Sequence, residues 1–215
     1  RNSADAWGMG NLNLTPGDAY QFAQGSPVVA HNGMKVQLRR PLDFLVVSDH
    51  AEYLGAFYRF NVKDPLVTET KIGRQWQKYV EEGDLAKFFG SFVNSMRNPE
   101  EDPALPAPVR QTVWRGVTHT ADQHNKPGVF TAFSGYEWTS MISGNNLHRV
   151  ILFKDDASKA SQMIPFSGQD SLDPRDLWQA LSNYEALTGG EVLSIAHNGN
   201  LSNGMMFPDK AVDGF

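Results

Sequence analysis

The 215-residue chain contains no cysteine. This removes disulfide scaffolds, thiolate-bound zinc and cysteine nucleophiles together, and leaves His, Asp and Glu to hold any metal. A cysteine-free chain suits an oxidising compartment without requiring one, so a periplasmic or secreted setting is the expectation. No stretch approaches the roughly 18 apolar residues that a membrane-spanning helix needs, so no span is expected. Positive charge is also scarce. Nineteen Lys and Arg face 24 Asp and Glu, a net charge of −5, and the basic residues form no run. A surface that tracks nucleic-acid phosphates is therefore not expected. The G-x-S-x-G elbow, the P-loop and a strand-borne G-x-G-x-x-G are missing too, so those catalytic and nucleotide-binding templates fall away.

What is present is globular: 40% hydrophobic, 11% aromatic and 20% charged residues, enough to fill the core of one large domain spanning 1–215. The start at Arg1-Asn2-Ser3 has no initiator Met or signal-peptide pattern, and Asp213-Gly214-Phe215 stops on no element. The chain is thus expected to be part of a longer protein, truncated at both ends.

Thr15-Pro16-Gly17-Asp18 reads as a helix start. Strands are expected at Leu42 to Val47, Val129 to Phe133, Arg149 to Phe153 and Val192 to Ala196, the first resembling a buried strand of a parallel sheet. Between the first two strands, residues 62–126 carry helical, aromatic-rich periodicity without clusters of ligand-type residues. They are expected to pack as a helical insertion outside the sheet and away from any metal site. Alternating strands and helices indicate an α/β protein, and the helical excess favours a barrel over a sandwich.

Ligand-type residues follow three of these strands: Asp49-His50, Glu137, and His197 ahead of Asn198-Gly199-Asn200. The C-terminal ends of strands are where α/β barrels build active sites. Taken singly each has a plainer reading: a capping pair for Asp49-His50, a helix-start residue for Glu137, a core histidine for His197. Their coincidence at three strand ends favours a metal site. His148 precedes its strand and is weaker by position. His119 and His124 would lie about 140° apart on a helix and cannot chelate together; with His31 they read as surface histidines.

Four stretches carry a family resemblance: RPLDFLVVSDHAEYLG over 40–55, GYEWTS over 135–140, GNNLHR over 144–149 and AHNGNLSNG over 196–204. In combination they resemble the PHP (polymerase and histidinol phosphatase) superfamily of metal-dependent phosphoesterases. The closer likeness is to a PHP-like bacterial domain-of-unknown-function family, number 3604. The resemblance implies a distorted, TIM-like (β/α)7 barrel holding up to three Zn, Mn or Fe ions at its rim. It implies ligand roles for Asp5, His50, Glu137 (as a bridging carboxylate), His148 and His197. The superfamily's opening His-x-His is absent, and no Asp-x-His follows the last matched stretch before Phe215.

The resulting expectation is a metal-dependent hydrolase, a phosphoesterase using metal-activated water on a small anionic substrate. Asp49 would orient a ligand or shuttle a proton beside His50, and Arg149, Asn198 and Asn200 would contact substrate. The alternative is a non-catalytic binding or interaction domain that kept the barrel and lost the chemistry.

Overall fold

The computed structural model describes residues 4–101 and 104–207. In chain order the elements are α1 (Ala4–Gly8), α2 (Pro16–Ala23), β1 (Val28–Val29), β2 (Lys35–Val36), β3 (Phe44–Val46), α3 (Ala56–Asn61), α4 (Pro65–Thr68), α5 (Lys71–Glu81), α6 (Leu85–Ser95), α7 (Ala107–His124), β4 (Thr131–Ser140), β5 (Leu147–Phe153), α8 (Ala157–Ala160), α9 (Pro174–Thr188) and β6 (Val192–Ala196). Local chemistry sets many of the boundaries. Thr15 and Asp18 form a reciprocal capping box at the start of α2. Asp173 caps α9, which ends on Gly189 in the left-handed conformation. Gly83, with φ of +74°, separates α5 from α6.

The expected (β/α)7 barrel does not form. The described residues hold six strands: a β1–β2 hairpin and an open four-stranded sheet in the order β3-β4-β5-β6. Only β3 and β4 run parallel; β4–β5 and β5–β6 are antiparallel. The physical reason lies partly in the β4–β5 connection. Residues 141–146 are the only chain between them, whereas a parallel crossover needs a dozen or more. With β3 and β6 at its two edges, the sheet is not closed on itself. β4 is also longer than expected, so Glu137 lies within a strand rather than after one, and His148 likewise lies inside β5.

Side-chain alternation divides the sheet into two unlike faces. Tyr136 and Trp138 of β4, with Ile151 and Phe153 of β5, bury against Trp114 of α7 and Leu177, Leu181 and Tyr184 of α9. The Trp114 indole donates to the Ala160 carbonyl at 2.8 Å. Glu137, Thr139 and His148 stand on the opposite face. A second core gathers Tyr53, Phe57, Ile72, Trp76, Phe88 and Phe92. Segment 62–126 carries α4 to α7 and no strand among its described residues. It does not stay clear of the candidate ligands, because Phe92 of α6 meets the His50 ring edge-on at 5.2 Å.

Candidate metal centre

Backbone pairing brings the candidate ligands together. The chain leaving β3 reaches His50, which forms a parallel bridge with Glu137. Glu137 N–H donates to the Asp49 carbonyl at 2.9 Å, and Ala51 N–H donates to the Glu137 carbonyl at 2.8 Å. Thr139 lies opposite His148 in the β4–β5 register. His197 N–H then donates to the His148 carbonyl at 3.2 Å, extending the same side of the sheet past β6.

Glu137 is the centre of the cluster. Its Oε1 lies 2.9 Å from His148 Nδ1 and 3.8 Å from His197 Nε2. Its Oε2 lies 4.0 Å from His50 Nε2, which is 3.3 Å from Asp5 Oδ2. One ligand atom each from His50, Glu137 and His148 falls within 4.8 Å of the others, and all three residues are buried. Metal–ligand bonds of about 2.1 Å at a tetrahedral angle set neighbouring donor atoms about 3.4 Å apart, so this spacing fits a shared divalent ion. One further feature fits a cation: the donors are imidazole nitrogen and carboxylate oxygen, the set suited to Zn, Mn or Fe. His148 Nε2, on the ring edge away from the Nδ1 that meets Glu137 and Thr139, is buried without a hydrogen-bond partner.

The electrostatics are those of a compact anion–imidazole cluster. Burial opposes charge on His50, but the hydrogen bond with Asp5 and the neighbouring carboxylates of Glu52 and Glu137 push its pKa up to about 10. The hydrogen bond with His50 holds the Asp5 carboxyl below the usual carboxylate range. Burial alone would raise Glu137, yet the His148 hydrogen bond and the neighbouring His50 charge bring it below its ordinary value. The metal-free cluster therefore keeps a proton on His50 between ionised carboxylates.

Not every expected site residue joins this group. Asp49 lends its backbone carbonyl to Glu137, while its carboxylate lines a cavity with Ala6, Phe22 and Val47 and is pushed by burial up to about 6. Strand alternation explains the separation from His50. Arg149 faces away from His148 for the same reason. Its guanidinium donates to the His148 carbonyl at 2.9 Å, to Met206 Sδ at 2.9 Å and to the Met206 carbonyl at 3.2 Å. It ties down the 198–206 turn rather than reaching into the site. Asn198, with φ of +59°, and Asn200 are exposed in that turn beyond His197.

Three residues at the site went unassigned in the sequence reading. Thr139 Oγ1 sits 3.1 Å from His50 Nδ1 and 2.9 Å from His148 Nδ1. Its position two residues after Glu137 was the available signal, since β alternation returns it to the same face. Glu52, fully buried, lies 3.6 Å from His50 Nδ1 through Oε2; two residues after a histidine ligand was its signal. Phe92 offered none, because only the packing of α6 brings it to His50.

Neither the curated proteins nor the solved structures yield a match to the chain. A family model does, over residues 1–215, under the description "Protein of unknown function (DUF3604)". The chain that builds this His–Glu–His centre is therefore a member of the DUF3604 family.

Proposed function

We propose that the protein is a divalent-metal-dependent hydrolase of the PHP type of chemistry, acting on a small phosphate ester. The observation that carries this reading is the buried His50–Glu137–His148 group, whose central carboxylate turns one oxygen toward His148 and the other toward His50. His50, Glu137 and His148 would hold an ion, with Asp5 and His197 as additional donors on opposite sides of Glu137. A bound ion supplies water of lowered pKa near neutral pH and stabilises charge developing on phosphoryl oxygens.

The chain's own residues do the rest. Asp5 and Glu137, both held ionised, offset the charge of an ion and fix the His50 ring between them. Thr139 bridges the Nδ1 atoms of His50 and His148 and holds the two rings in register. Phe92 forms an apolar wall beside His50. His197 is the exposed histidine of the set, the one best placed to meet a substrate arriving from solvent. The net charge of −5 does not oppose an anionic substrate, because bound cations reverse the local sign.

The test is a panel of phosphate esters, sulfate esters and amides offered to the metal-saturated protein and to its Glu137→Gln variant. Phosphate-ester hydrolysis that stops with chelator and in the variant is expected. Saturable anion binding without turnover of any phosphate ester would overturn the reading in favour of a non-catalytic binding domain.

A further inference from the structure

Glu52 has an environment that packing does not explain. It is fully buried in the turn between β3 and α3, and an unpaired carboxylate there is costly. Oε1 accepts from Gly168 N–H at 2.7 Å and from Thr139 N–H at 3.5 Å. Oε2 has no hydrogen-bond partner and lies 3.6 Å from His50 Nδ1.

The Gly168 contact is purpose-shaped. A Cβ at that position would stand 2.5 Å from the Thr139 carbonyl oxygen and 3.4 Å from Glu52 Oε1, so only glycine brings this N–H so close. The turn is itself tethered: Ser167 N–H donates to Asp170 Oδ2 at 2.8 Å, and Arg110 of α7 donates to Asp170 Oδ1 at 2.8 Å. An anchored loop, 116 residues away in sequence, thus fixes one carboxylate oxygen and leaves the other aimed at a histidine.

We propose that Glu52 is a positioning residue that sets the orientation and tautomer of His50 for metal binding. His50 Nδ1 has the Thr139 hydroxyl at 3.1 Å, which can donate or accept, and the Glu52 carboxylate at 3.6 Å, whose charge favours a proton on Nδ1; Nε2, on the side of Asp5 Oδ2 and Glu137 Oε2, would then be free to bind an ion. The inference rests on the metal-hydrolase reading above and deepens it.

The test compares wild type with Glu52→Gln, after chelator treatment, by titrating Co2+ against a chromophoric competitor and recording the visible d–d absorption. Gln keeps the volume and an acceptor for Gly168, but it turns an N–H toward His50 Nδ1 and favours the wrong tautomer. Binding about 10–100-fold weaker, with a shifted band, is expected at an unchanged circular-dichroism spectrum. Equal affinity and an identical band in the variant overturn the role of Glu52 and leave the metal reading intact. No Co2+ binding by wild type overturns both. If Glu52→Gln does not fold, Glu52→Asp is read in its place. The shortened carboxylate must weaken Co2+ binding, and wild-type affinity would overturn the inference.

Discussion

Replacing Glu137 by Gln removes the central charge while preserving shape. Its oxygens face three imidazoles at 2.9, 3.8 and 4.0 Å, and the side chain is buried among them. The variant therefore takes the one anionic donor from the His50–Glu137–His148 group. Loss of an outer-shell partner already costs a metal site about 10–100-fold in affinity, so loss of this charged ligand should lower metal affinity by about a hundredfold or more. Competition against a chelator of known affinity measures this for Zn2+ and Mn2+. Circular dichroism confirms that the sheet persists, since the backbone bridge from Glu137 to Asp49 and Ala51 does not involve the side chain. A variant binding within about threefold of wild type would refute the assignment of Glu137 as a ligand, because a charge loss at the centre cannot be worth so little.

Other expectations follow from neighbouring geometry. Arg149→Ala should leave metal affinity within about twofold yet destabilise the fold by about 1–2 kcal/mol, through loss of the bonds to Met206 and to the His148 carbonyl, as read by urea denaturation. Gly168→Ala should cost about 1–3 kcal/mol, since the new Cβ meets the Thr139 carbonyl oxygen at 2.5 Å; an unchanged melting temperature would contradict this. In the metal-free protein the folded pKa of His50, about 10, exceeds its ordinary 6.5. Its stabilisation is therefore fully present below about pH 6.5 and is lost as pH rises through about 10, which chelator-treated samples melted across that window should show. The same proton must leave when an ion binds, so metal affinity should rise by up to about tenfold per pH unit between pH 6 and 8, and calorimetric heats should depend on buffer ionisation enthalpy.

Much of the local structure was legible in the residues. The cap at Thr15, the break at Gly83, the start at Asp173 and the strand at Val192–Ala196 all stand where their chemistry puts them. The topology was not, because antiparallel pairing of β4 with β5 follows from a short connection that apolar runs do not mark. The expected strand end at Phe133 misled for a related reason. Beyond it, β4 alternates between core residues Tyr136 and Trp138 and site residues Glu137 and Thr139, so its apolar run breaks where function begins. Of the motif residues, His50, His148 and His197 lie around the Glu137 carboxylate, and Asp5 lies against His50. Asp49 and Arg149 do not, since adjacency in sequence is opposition across a strand. Glu52 and Thr139 stand behind the ligands, and the two-residue spacing from His50 and Glu137 that marks them carries no ligand motif of its own.

Crystals grown with Mn2+ or Zn2+ and measured at the absorption edge of the metal test the His50–Glu137–His148 centre most directly. An anomalous peak within about 2.0–2.3 Å of Glu137 and of at least one of the two histidine rings is the predicted result. Ordered, ion-saturated crystals in which Glu137 bonds His148 with no anomalous density between the rings would contradict it.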